Sequence, residues 1–132
     1  MMAPRILFCC LALLALAGCG SEEGGSAPGG PATQLTVRMD PDGDGPEAAR
    51  EERISCAQPP EGAACAAAAD LRPADLVPVP GDMACTEQFG GPETATVTGT
   101  LRDREVDARF SRENGCEIAR WDKVAPLLQA AG

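Results

Sequence analysis

The chain has no histidine and no tyrosine. Without histidine, a Ser-His-Asp triad and any His-ligated metal site are excluded. The four serines, Ser21, Ser26, Ser55 and Ser111, lie outside any G-x-S-x-G elbow. Carboxylates abound, yet none sits in an apolar context that would raise its pKa into a useful range. These absences argue against an enzyme, and no cofactor is implied. Aromatic residues are equally scarce, with three Phe and one Trp. Basic residues are the minority: 11 Lys and Arg stand against 20 Asp and Glu, a net charge of −9. Such acidity speaks against nucleic-acid binding and against polybasic attachment to a membrane.

Long apolar runs are also missing. Residues 6–17 form the one continuous stretch, preceded by Arg5, and about twelve residues fall short of the roughly 30 Å hydrocarbon core of a bilayer. It reads as the apolar segment of an export signal covering residues 1–18. It ends in Leu16-Ala17-Gly18-Cys19, which resembles a bacterial lipobox, in which small residues admit a dedicated peptidase and Cys19 takes a diacylglycerol. Removing 18 of the 132 residues leaves 114 and takes one arginine with it, so the charge falls from −9 to −10. Acyl chains on Cys19 would then anchor the protein outside the cell without a transmembrane helix. Residues 19–33 follow as a tether. From Gly20 to Ala32 it offers no apolar side chain larger than alanine or proline, too little to offset the entropy of ordering. Its expected reach is on the order of 20 Å.

Residues 34–132 remain for one folded domain with a small core, which needs covalent staples. Cys56, Cys65, Cys85 and Cys116 lie in this exported part and point to two disulfides rather than a metal site, with the connectivity open. Residues 34–39 alternate, placing Leu35, Val37 and Met39 on one face of a strand. Residues 53–56 are a shorter candidate strand, and the alanines of 66–71 a short helix stopped near Pro73. Residues 94–101 give the clearest strand. Arg102-Asp103-Arg104 turns, and Val106, Ala108 and Phe110 continue the apolar face of an antiparallel hairpin. Residues 116–121 read as a further strand and 126–130 as a short terminal helix.

One motif competes for a function. Asp40-Pro-Asp42-Gly-Asp44-Gly45, with Glu51 in the twelfth position, satisfies the calcium-loop pattern D-x-D-x-D-G-x5-E. Its context is wrong, because a strand precedes Asp40, Glu47 occupies the usually apolar eighth position, and no second copy exists. A solvated acidic hairpin loop is the simpler reading, with a calcium-binding lipoprotein as an alternative.

The remaining signal is Cys85-Thr-Glu-Gln-Phe-Gly-Gly-Pro92, followed by the hairpin and by Asn114-Gly115-Cys116. In this order the elements resemble the Streptomyces subtilisin inhibitor family of small secreted serine-protease inhibitors, over roughly residues 35–121. The resemblance implies an α+β fold, a small antiparallel sheet with two short helices. It also implies the pairings Cys56–Cys65 and Cys85–Cys116, and the possibility of a homodimer through the sheet. It places the protease-binding loop on Ala84, Cys85, Thr86, Glu87, Gln88 and Phe89, the reactive bond at Glu87–Gln88, and loop support on Asn114. The implied partner is a secreted serine protease, subtilisin-like or glutamyl-specific. Two positions depart from the family pattern. Glu87 stands where Met, Lys or Arg is usual, and Thr86 where proline is common. An anionic Glu87 leaves either an acid-selective target or a non-inhibitory binding module on the same scaffold.

Overall fold

The computed structural model describes residues 32–132; Cys19, its preceding apolar run and nearly all of the tether lie outside the described residues. The first strand, β1 (Thr33–Asp40), pairs antiparallel with β2 (Arg50–Cys56) on one side and with β3 (Thr94–Leu101) on the other. Strand β4 (Arg104–Phe110) completes a four-stranded sheet of order β2-β1-β3-β4. A helix, α1 (Ala63–Asp70), and a 3-10 turn at Pro73–Asp75 lie between β2 and β3, and a second helix, α2 (Gly115–Ala130), follows β4.

Alternation in the strands becomes layering in the core. Val37 pairs with Val97, and Val97 with Ala108; Leu35 pairs with Ile54. All of these are buried, together with Ala95, Leu101, Val106 and Phe110. The opposite face keeps its threonines and charges, as a sheet covered on one side requires. From α2, Val124, Leu127 and Leu128 recur at helical spacing and close over the sheet, each at most 2% exposed. Fully burying a Leu, Val or Phe side chain contributes roughly 1.5–3 kcal/mol. With so few such residues, the covalent links matter.

Both disulfides are formed: Cys56–Cys65 ties β2 to α1, and Cys85–Cys116 ties the long connection before β3 to the first turn of α2. They suit an oxidising, extracellular compartment. Among the described residues no helix is long and apolar enough to cross a membrane.

Residues 116–121, expected as a strand, are the first half of α2. Cys116, Ile118 and Arg120 mimic a period of two, but Asn114 caps a helix there by accepting from the amides of Cys116 and Glu117, each at 3.0 Å. The helix continues to Ala130 through Pro126, so the expected terminal helix is its last turn. Proline removes one amide donor, while Leu127 and Leu128 beside it hold the turn against the core. Strand β2 is longer than expected because its first half, Arg50 to Arg53, is wholly charged and sits at the sheet edge.

The sheet separates two poles. At one, the Ala32 amide donates to Asp103 Oδ1 at 3.0 Å, and the Asp103 amide donates back to the Ala32 carbonyl at 2.9 Å, so the chain leads in beside the β3–β4 turn. At the other lie the start of β3, the end of β4 and the start of α2. The eight residues of β3 separate them, about 23 Å at strand rise.

Candidate functional site

Between the 3-10 turn and β3, residues 76–93 carry no regular structure. All three large hydrophobic side chains that stand exposed among the described residues fall here: Val77, Met83 and Phe89, the last at 67%. Stable folds do not ordinarily cluster their exposed apolar residues on one connection, and an exposed apolar patch is an interaction feature.

The tip of this connection is held on both flanks. On the near side, Cys85 is bonded to Cys116, with the two Cα atoms 5.4 Å apart, and the Thr86 carbonyl accepts from the Gly115 amide at 3.0 Å. On the far side, the Gly90 amide donates to the Arg112 carbonyl at 2.7 Å. Glu87, Gln88 and Phe89 lie between these anchors and are exposed, as is Ala84 before them. Close approach at both anchors requires glycine. A β-carbon on Gly115 would run into Thr86 Oγ1, and one on Gly90 would come within 2.9 Å of Ile118 Cδ1.

Behind the far anchor sits a half-buried ion pair. Arg112 Nη1 donates to Glu93 Oε1 at 3.2 Å, and the guanidinium lies 5.9 Å from the centroid of the Trp121 ring. Nearby, Arg120 donates to Glu117 at 2.7 Å and to the Arg109 carbonyl at 2.9 Å, with its guanidinium 4.5 Å from the Phe110 ring centroid. These contacts fix the start of α2, and with it Cys116, to the core. The open cleft beside the loop is lined by Met83, Thr86, Glu87, Glu113 and Glu117, so the surface around the tip is acidic.

Each expected site residue can now be located. Ala84, Thr86, Glu87, Gln88 and Phe89 are exposed around the half-buried Cys85, whose disulfide forms the base of the tip. Asn114 stands directly behind it, with its Oδ1 accepting from the α2 amides of Cys116 and Glu117, while the Gly115 amide donates to the loop at the Thr86 carbonyl. Arg112 escaped the sequence reading. The only signal for it was its place in the short link between β4 and the half-cystine Cys116.

The acidic loop after β1 is organised around its own backbone. Asp40 accepts from the amides of Asp42, Gly43 and Gly45 at 3.2, 2.9 and 2.8 Å. The Gly45 hydrogen bond is the main reason its pKa lies below the ordinary value; burial opposes it, and the Asp42 and Gly43 amides add to it. Glu51, the supposed closing ligand, points out from β2 and pairs with Arg53 at 3.2 Å. Among the described residues no group of three or more Asp, Glu, Cys or His is placed to hold a metal ion.

No protein-family model, no curated protein and no solved structure matches this chain.

Proposed function

We propose that this protein is a substrate-mimicking inhibitor of a secreted serine endopeptidase, of the Streptomyces subtilisin inhibitor type, displayed on the cell surface through lipid on Cys19. The observation that carries the reading is the exposed Glu87–Gln88 peptide, anchored by Cys85–Cys116 and Thr86 on one side and by Gly90 on the other. A protease serine attacks the Glu87 carbonyl. The leaving amine of Gln88 stays beside the acyl group instead of diffusing away, so its return is intramolecular and has a high effective concentration. A tip already anchored on both flanks loses less entropy on docking. The site itself carries out no chemistry; the protease supplies it.

Glu87 defines the target. An acidic side chain would be costly to bury unpaired in an apolar primary pocket and is a poor match for an acid-floored one. A glutamyl-selective protease, with a cationic or strongly donating pocket wall, fits best. The position of Ala32 at the opposite pole supports presentation to the medium: a lipid on Cys19 draws in the pole away from the loop. Titrating the residual activity of a glutamyl endopeptidase and of subtilisin tests the reading. Wild type should inhibit the former more tightly, and Glu87→Met should reverse the order by about 2–4 kcal/mol, the scale for burying a mismatched polar group. A protein that slows neither enzyme in either form is a binding module and no inhibitor.

A further inference from the structure

We propose that Arg112 is the positioning residue that keeps the cleaved loop religatable. The proposal rests on the inhibitor reading and concerns what happens after the Glu87–Gln88 bond is opened. Opening leaves two ends with unequal restraint. The acyl end lies two residues from Cys85, which is bonded to Cys116, and Thr86 adds a hydrogen bond from Gly115. The amine end has no crosslink. Between Gln88 and the start of β3 at Thr94, two polar contacts among the described residues hold it, and Arg112 makes both: its carbonyl accepts from Gly90, and its guanidinium pairs with Glu93.

Arg112 is well placed to transmit this hold. Phe110, two residues before it, is fully buried at the end of β4, and its own guanidinium rests over Trp121 of α2. Two buried side-chain atoms without partners, Arg112 Nε and Glu93 Oε2, belong to this same pair. Among the described residues, Asn114 makes no side-chain hydrogen bond to residues 88–93; its Oδ1 accepts two amides of α2.

The Gln88 amine attacks the ester carbon joining Glu87 to the protease serine; the C–N bond forms, the C–O bond breaks, and the proton lost by the amine returns to the serine oxygen. Arg112 touches neither reacting atom. It holds the residues from Gly90 to Glu93 so that the amine stays within reach.

The test uses Arg112→Met, which keeps an apolar stem over Trp121 and removes the charge, with Arg112→Lys as the conservative rescue. Arg72→Met, which breaks the Arg72–Asp75 pair elsewhere, is the control. Amide exchange is measured on the intact proteins without protease. Residues 88–93 should exchange at least ten-fold faster in Arg112→Met, with the β3–β4 hairpin unchanged, and Arg72→Met should match wild type. Each protein is then incubated with a catalytic amount of glutamyl endopeptidase. The ratio of cleaved to intact chain at equilibrium should rise ten-fold or more in Arg112→Met, and inhibition should lapse with time, with Arg112→Lys in between. An unchanged ratio in a variant that still inhibits, or equal changes in Arg72→Met, overturns the role of Arg112. If wild type slows no protease, the inhibitor reading fails instead, and the exchange contrast separates that failure from this one.

Discussion

Replacing Cys85 and Cys116 together by serine removes a link between residues 31 apart in sequence, whereas replacing Cys56 and Cys65 removes one between residues only 9 apart. In the chain-entropy account, the longer loop stabilises the fold by about 3.7 kcal/mol and the shorter by about 2.7 kcal/mol. For a domain of this size the first loss corresponds to a fall in melting temperature of roughly 20 °C. The two variants differ more in what they do to the loop than in stability. Cys56–Cys65 joins β2 to α1, away from the tip, while Cys85–Cys116 is the base of the tip itself. Calorimetry gives the stabilities, and mass spectrometry under dilute protease, well below each melting point, gives the cleavage rate at Glu87–Gln88. We expect the Cys85/Cys116 variant to be cut there at least ten-fold faster than wild type and the Cys56/Cys65 variant to be cut at a near-normal rate. Equal acceleration in both would show that resistance reflects global stability, and the assignment of Cys85–Cys116 as a local clamp would be refuted.

Three further outcomes follow from the same contacts. Asn114→Ala should cost about 1 kcal/mol of unfolding free energy, since it leaves two α2 amides uncapped; denaturant titration measures it. Asp40 and Asp75 both have lowered pKa values, Asp40 chiefly through the Gly45 amide and Asp75 chiefly through the Arg72 side chain. A lowered folded-state value means that the unfolded chain binds more protons. The stabilisation is therefore complete above the ordinary value of 3.8 and is lost as pH falls through the lowered values. The melting temperature should fall below about pH 4, and Asp40→Asn should flatten that limb. Finally, the Leu16-Ala17-Gly18-Cys19 sequence predicts that wild type incorporates labelled fatty acid and that Cys19→Ala does not; an unlabelled wild type would end the surface-anchor proposal.

Much of the sheet was legible because one-sided burial enforces alternation: Leu35 and Val37, Ala95 and Val97, and Val106, Ala108 and Phe110 all occupy the face their spacing predicts. The family resemblance carried the cysteine pairing, which spacing left open. Legibility failed where a local pattern was ambiguous or a contact was distant in sequence. Cys116, Ile118 and Arg120 alternate by coincidence within α2, and the helical period is clear only farther on, at Val124, Leu127 and Leu128. The Arg112–Glu93 pair spans 19 positions and a whole hairpin, so no local rule could join its partners. The exposed tip was recognisable as a motif, but the backbone bonds that hold it, Thr86 to Gly115 and Gly90 to Arg112, follow from tertiary packing.

The most direct measurement of substrate mimicry is the fate of the Glu87–Gln88 bond itself. Intact protein and, separately, protein already cut at that bond are each incubated with a trace of glutamyl endopeptidase and followed by mass spectrometry. Substrate mimicry predicts that both samples converge slowly on the same mixture of intact and singly cleaved chain, with the cut at Glu87–Gln88 and the bond resynthesised in the second sample. Rapid digestion at several sites, cutting elsewhere in the loop, or a cleaved sample that never regains the intact mass would contradict it.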